Sequence, residues 1–369
     1  MSRAGRLALR FALLLGIGAV GGVALPAIVA GDPPPGDGLG SRGSALAFAP
    51  LPTPTDATAD STQGTAIQLL ARAAAAGQNR TYSGTQFLSS WSTAGTSSVV
   101  VAVQHVPGRG VLVRLSGRHG STVVDDTAGV ALDPRALAVL QRHYSVSVAT
   151  HDGHCAGRTA RIIEVRRPAR SGSTVAGRFW VDATTGLVLR RELYDQAGRT
   201  VRAAAFIDVR MAAPDAWSAP ASSDVDEPET TLAAVELDRL RDAGWIAPDQ
   251  LPGGLELFDA RKGGGVLHLS YTDGLFAVSV FTQHGRLNPT AVKGWKSATL
   301  SGRSAWVQPG LSQRVVWGRD GWVYTAVADA PDATVSASVA GFSPSRRESF
   351  PHRVWRGLSR MESWVDPKR

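Results

Sequence analysis

Arg178-Phe179-Trp180-Val181-Asp182, the loop Ala183-Thr184-Thr185-Gly186, and the return run Leu187-Val188-Leu189-Arg190-Arg191-Glu192-Leu193-Tyr194 together decide the fold. Aromatic and β-branched residues mark strands, and the loop between the runs holds the small residues that a four- or five-residue hairpin connection uses. Asp195-Gln196-Ala197-Gly198 supplies a second turn, and residues 199–209 lead the chain back through Thr200, Val201, Phe206, Ile207 and Val209. The result is a three-stranded antiparallel meander. Period-two alternation predicts Leu187, Leu189 and Leu193 on one face, interrupted by Arg191, with Val188, Arg190, Glu192 and Tyr194 on the other. The same rule sends Phe179 and Trp180 to opposite faces. Nothing in the stretch is a reaction centre, so it reads as scaffold for a binding surface.

Outward from the meander, strand-like runs occupy 82–91, 98–106, 111–115, 121–124, 145–149 and 161–167. Thr65 with Gln68 resembles a capping box, and Ile67, Leu70, Ala71 and Ala74 form one helical face expected to stop at Gly77. Asp133 followed by Pro134 opens a short helix carrying Leu137, Leu140 and Tyr144. A second set of elements follows 212–231: a helix through Ala233, Leu237 and Leu240, strands at 254–258, 266–271 and 275–281, and hairpin signals at Asp273-Gly274 and Asp320-Gly321. Helix candidates lie at 335–340 and 352–364. Helices laid against long antiparallel sheets define an α+β class.

The 369 residues suffice for two domains, and 43% apolar residues for their cores. Arg3, Arg6 and Arg10 precede an apolar run, 11–30, which reads as a signal peptide or membrane anchor and places the rest outside the cytoplasm. Residues 31–63, with Pro33-Pro34-Pro35, form a disordered Pro/Gly/Ser-rich spacer. The expected division is then a domain at 64–211, a linker at 212–231, a second domain at 232–341 and a basic amphipathic tail at 342–369. The net charge of +8 is carried almost wholly by arginine. For an exported chain that argues against nucleic acid as the partner and makes anionic lipid, acidic polymer or acidic protein the natural ones, while plain solubilising charge spread over the surface is the simpler reading.

Ala176-Gly177-Arg178-Phe179-Trp180-Val181-Asp182, with the Thr-Gly loop, Tyr194-Asp195 and Phe206, resembles the MucB/RseB family of sigma-factor regulatory proteins. So do Leu251-Pro252-Gly253-Gly254, Leu269-Ser270-Tyr271-Thr272-Asp273-Gly274-Leu275-Phe276, and the early Tyr82-Ser83-Gly84-Thr85. The resemblance implies a half-open antiparallel barrel plugged by helices, similar to lipoprotein carriers, followed by a smaller α+β domain. It implies a non-enzymatic regulator that binds the external segment of a membrane anti-sigma factor, shields it from proteolysis and is released by a lipid-type signal. A lipid or lipoprotein carrier of the envelope is the alternative.

Tyr82, Phe87, Trp91 and Trp180 are positioned to line an apolar cavity in the first domain, and Trp317 and Trp322 to serve as binding anchors in the second. Core packing is the plainer reading of all six. Trp355 lies in the basic tail, which reads as a docking or membrane-surface helix. His151, His154 and Cys155 are ligand types suited to zinc, and with zinc to a hydrolase. No second cluster closes such a site, so a polar loop between two strands is the simpler expectation. No hydrolase or phosphate-loop motif occurs, and no cofactor is expected.

Overall fold

The computed structural model describes residues 59–115, 121–124, 134–168, 174–212 and 230–342. The leader, most of the spacer, most of the linker and the tail with Trp355 lie outside them.

The first half runs α1 (Ala59–Asn79), β1 (Tyr82–Ser92), β2 (Gly95–Val106), β3 (Gly110–Leu115), β4 (Ser121–Val124), α2 (Pro134–His143), β5 (Ser145–Cys155), β6 (Arg158–Arg167), β7 (Thr174–Asp182), β8 (Val188–Tyr194) and β9 (Thr200–Arg210). Its sheet has the order β4-β3-β2-β1-β9-β8-β7-β6-β5, antiparallel throughout. The chain leaves the middle in one direction, crosses through α2 to the far edge and meanders back, so that β9 closes on β1. With β4 and β5 as edges the sheet stays open, a half-barrel with helices against it. Ala66, Leu70 and Ala73 of α1, at helical spacing and at most 2% exposed, pack with Ile163, Val165 and Phe179.

The second half runs β10 (Thr230–Thr231), α3 (Ala234–Asp242), β11 (Gln250–Leu251), β12 (Leu255–Gly263), β13 (Val266–Thr272), β14 (Ala277–His284), β15 (Lys296–Leu300), β16 (Arg303–Gln308), β17 (Gln313–Arg319), β18 (Trp322–Asp329) and α4 (Asp332–Gly341). The order is β10-β12-β13-β14-β18-β17-β16-β15, with β11 on β12. Asp320 and Gly321 both have positive φ, 49° and 82°, the backbone of a two-residue type I′ turn. Ser301-Gly302 and Ala156-Gly157 make the same turn. At Asp273-Gly274 the connection is longer: the Asp273 carboxylate accepts from the backbone N–H groups of Leu275 and Phe276 at 2.9 and 2.7 Å.

Four expectations are corrected. α1 starts inside the expected spacer and passes through Gly77, whose interior cost of about 1 kcal/mol is outweighed by the buried Ala66, Leu70 and Ala73 face. Residues 151–155 are strand, the second part of β5 beyond a register shift between Val148 and Asp152, because pairing with β6 overrides their weak local propensity. Leu187, Leu189 and Leu193 do not share a face. Leu187 and Leu189 join Trp180 and Phe206, whereas Leu193 joins Phe179. A bulge between the pairs Trp180↔Arg190 and Val181↔Val188 breaks the alternation at Leu189. Finally, β15 and β16 add a hairpin at the sheet edge that was not expected.

Candidate interaction site at the junction of the two sheets

One apolar cluster runs through both halves: Leu137, Leu140 and Tyr144 of α2 and Phe179 of β7 belong to it together with Leu275, Phe276 and Tyr271. Contact is close enough that a Cβ on Gly274 would sit 2.4 Å from the backbone of Leu140, so only glycine fits there. Around this apolar centre the polar contacts have a direction. Where a carboxylate takes part it comes from the second half and its donor from the first; Lys296 Nζ donates the other way, to the Ala94 carbonyl at 2.6 Å. The Tyr144 hydroxyl donates to Asp273 at 2.6 Å in a buried pair. Arg142 and His143 share Glu256, at 2.5 and 3.0 Å. Arg191 and Arg202 share Asp329, at 3.0 and 2.7 Å. The backbone N–H of Thr93 donates to Asp332 at 2.6 Å.

The electrostatics follow from burial and pairing. Burial pushes the Asp273 carboxyl up, against the Tyr144 and backbone N–H bonds that favour its ionised form. Burial and the adjacent Asp273 carboxylate raise the Tyr144 phenol. The hydrogen bond from Arg142 holds Glu256 below the usual carboxylate range. Burial lowers the Arg202 guanidinium, partly offset by Asp329 and reinforced by Arg191. Beside this last triad a small cleft opens at the seam, lined by Trp91, Val201 and Arg202 from one sheet and Phe276, Gln313 and Asp329 from the other.

Of the residues singled out in the sequence, Trp91 alone lines this cleft. Tyr82, 6% exposed, stacks on His105 at 5.0 Å and meets Phe206 edge-on. Trp180, 2% exposed, carries the Arg190 guanidinium 4.5 Å above its ring. Both pack in one apolar cluster with Leu88 and Phe206. Phe87 is half-buried on β1. Trp317 is buried against Tyr324, ring centroids 5.1 Å apart, and half-buried Trp322 lies tilted against His284 and meets Trp245 edge-on. His151 and His154 are exposed on β5, and half-buried Cys155 points its Sγ at the carbonyl oxygens of Leu189 and Phe206. Burial pushes that thiol up, away from reactivity. Among the described residues no group of three His, Cys, Asp or Glu is placed to hold a metal, and no helix is long and apolar enough to cross a membrane. Sequence reasoning missed Arg191, Arg202, Asp329 and Glu256; the charge of Arg191 inside an apolar run was the available signal.

Two open antiparallel sheets, helix-packed and joined through a shared core and a polarised seam, define an α+β scaffold. Residues 128–231 match the family model for the MucB/RseB N-terminal domain. The match takes in α2 and β5 to β9, the meander at its centre. Among curated proteins no sequence matches the chain. Solved structures similar to it include MucB in complex with MucA(peri), at 18% identity over 74% of this chain and 97% of that one, TM-score 0.39. The Pseudomonas aeruginosa MucA/MucB complex gives 20% identity with coverage of 74% and 97% and a TM-score of 0.40. A LolA superfamily protein from Nitrosomonas europaea follows at 8%, 72% and 91%, with a TM-score of 0.18. At these identities and scores the three likenesses add no argument to the family match.

Proposed function

We propose that the protein is an extracytoplasmic regulator that binds the external segment of a membrane anti-sigma factor and shields it from proteolysis, restraining a stress-response sigma factor. The observation that carries this is the family match over 128–231. The mechanism is occlusion: the bound regulator covers the cleavage site, and a ligand preferring the free regulator shifts the equilibrium toward release. A lipid-type signal is the proposed releasing ligand. Tyr82, Trp180 and Phe206 pack together on the first sheet, so an acyl chain seated among them has to displace them. The proposed domains are 64–211 and 232–341, joined by 212–231, and the shared seam makes them act as one unit.

Purified anti-sigma external segment, incubated with the responsible membrane protease and increasing amounts of this protein, tests the reading. Cleavage is expected to fall in proportion to complex formed. Unchanged cleavage with saturating protein, or no complex at all, overturns it.

A further inference from the structure

We propose that Arg314 on β17 is a docking point for an aspartate or glutamate of a bound polypeptide, its guanidinium pairing with the incoming carboxylate on the face of the second sheet turned away from α4. The inference deepens the partner-binding reading above and rests on it for the partner's identity.

The register puts Gln308, Arg314, Val327, Ser279 and Ser270 in one row across β16, β17, β18, β14 and β13. Val315, the next residue of β17, packs in the shared core with Val335 and Val339 of α4, so alternation turns Arg314 to the other face. Arg314 is half-buried there, and its one hydrogen bond among the described residues is a long one, 3.4 Å, to Gln308 Oε1. No carboxylate of the described residues pairs with it; Asp329, two residues along β18 from Val327, is already held by Arg191 and Arg202. The contrast with other strand arginines is direct, since Arg158, Arg178, Arg191 and Arg202 each meet a carboxylate. Burial lowers the Arg314 guanidinium, and no neighbouring charge offsets it.

A half-buried cation without a counter-ion lowers stability, and a carboxylate arriving from outside removes that cost, because the guanidinium is already placed and partly desolvated. Its planar fork accepts both oxygens of a carboxylate. Charge count selects among anions. One guanidinium balances one carboxylate, whereas a phosphate group carries up to two charges and an anionic bilayer attracts clusters of basic residues. The rest of the row, Gln308, Val327, Ser279 and Ser270, is neutral. A polypeptide partner brings a single charge of this kind as an aspartate or glutamate side chain.

The test compares the full-length protein with Arg314→Met, which keeps the apolar stem and removes the charge. In urea the variant is expected to unfold at a higher midpoint than wild type; a lower midpoint means that the fold itself uses the guanidinium, and overturns the proposal. The Arg314 Nε–H resonance, assigned by its loss in Arg314→Met, reports ligand directly. N-acetyl-glutamate methylamide should shift it saturably, and several-fold more tightly than the glutamine twin or inorganic phosphate. Equal response to the twins, or to phosphate, overturns the assignment. Against the anti-sigma external segment, Arg314→Met is expected to bind about tenfold more weakly, the worth of a charge-assisted hydrogen bond. Replacing the segment's carboxylates by amides one at a time should find a position that costs wild type the same factor and costs the variant nothing. If the segment binds both proteins alike, this inference fails alone. If the capped glutamate is discriminated and no anti-sigma segment binds, the functional reading fails alone.

Discussion

Asp329→Asn tests how the two halves are held. The carboxylate lies between Arg202 and Arg191, with side chains 17%, 6% and 14% exposed, and Arg202 also donates to the Leu311 carbonyl. Removing one partner of a buried ion pair costs about 3–5 kcal/mol, because the remaining charge keeps its desolvation penalty without its attraction. Two guanidiniums left facing each other put the cost toward the upper end. At about 2–4 °C per kcal/mol for a protein of this size, the melting temperature should fall by about 6–20 °C. Calorimetry and urea unfolding of the purified protein measure it. Asp320→Asn is the control: the Arg319–Asp320 pair is largely exposed, and the loss should be about 0.5 kcal/mol or less. The double variant Asp329→Asn, Arg202→Met removes the stranded charge and should regain part of the loss. If Asp329→Asn matches the control, or the double variant is less stable than the single changes predict together, the reasoning about a buried charge junction is refuted.

Other consequences are open to similar measurement. Gly274→Ala should destabilise by about 3 kcal/mol or more, since its Cβ would fall 2.4 Å from Leu140 and φ is 88°. Gly198→Ala, also at positive φ but with open space around it, should lose about 1–2 kcal/mol; equal losses would show that α2 does not press on the Asp273 loop. The Asp182 and Asp195 carboxyls are held below their usual range although burial works upward on both, through Arg158 and Thr185 for the first and Arg199 for the second. Their folded pKa values are depressed, so their contribution is complete above about pH 4 and is lost as pH falls through the folded values. Asp273, shifted upward by burial, contributes with the opposite sign. Urea midpoints should therefore drop below about pH 4, with a flatter acid limb in Asp182→Asn; a midpoint that rises there would reverse the assignment. His151→Ala with His154→Ala, both exposed, should leave stability within about 0.5 kcal/mol and bound zinc unchanged by elemental analysis.

The meander was legible because alternation and turn chemistry agree over 178–209. What alternation cannot announce is a bulge. Leu189 and Ile207 each sit at a register shift, and only the neighbouring strands reveal them. The second part of β5 was hidden because His, Asp and Gly are poor strand formers held there by β6; the Ala156-Gly157 turn was too weak a signal to announce it. Lys296-Ser297-Ala298-Thr299-Leu300 carries little hydrophobic pattern, and its Ser301-Gly302 turn was the only local mark of the edge hairpin. The junction was less legible still. Arg191 stood out as a charge in an apolar run, but Asp329, Glu256 and Asp273 lie in another sheet, and sequence spacing says nothing about which arginine each will meet.

The pairing of β1 with β9 has a consequence for how the chain acquires its shape. Gly84 lies opposite Val209, and a Cβ there would fall 2.2 Å from the Asp208 carbonyl oxygen, so the centre of the first sheet admits only glycine at this position. Closing so long a loop is entropically slow, and pairing between distant segments delays the rate-limiting step. A chain that emerges from its N-terminus has α1 to β4 ready long before β9 arrives. Until then β1 presents a bare strand edge. The vulnerable interval for aggregation and proteolysis is the wait for residues 200–210, and a holding chaperone would act there.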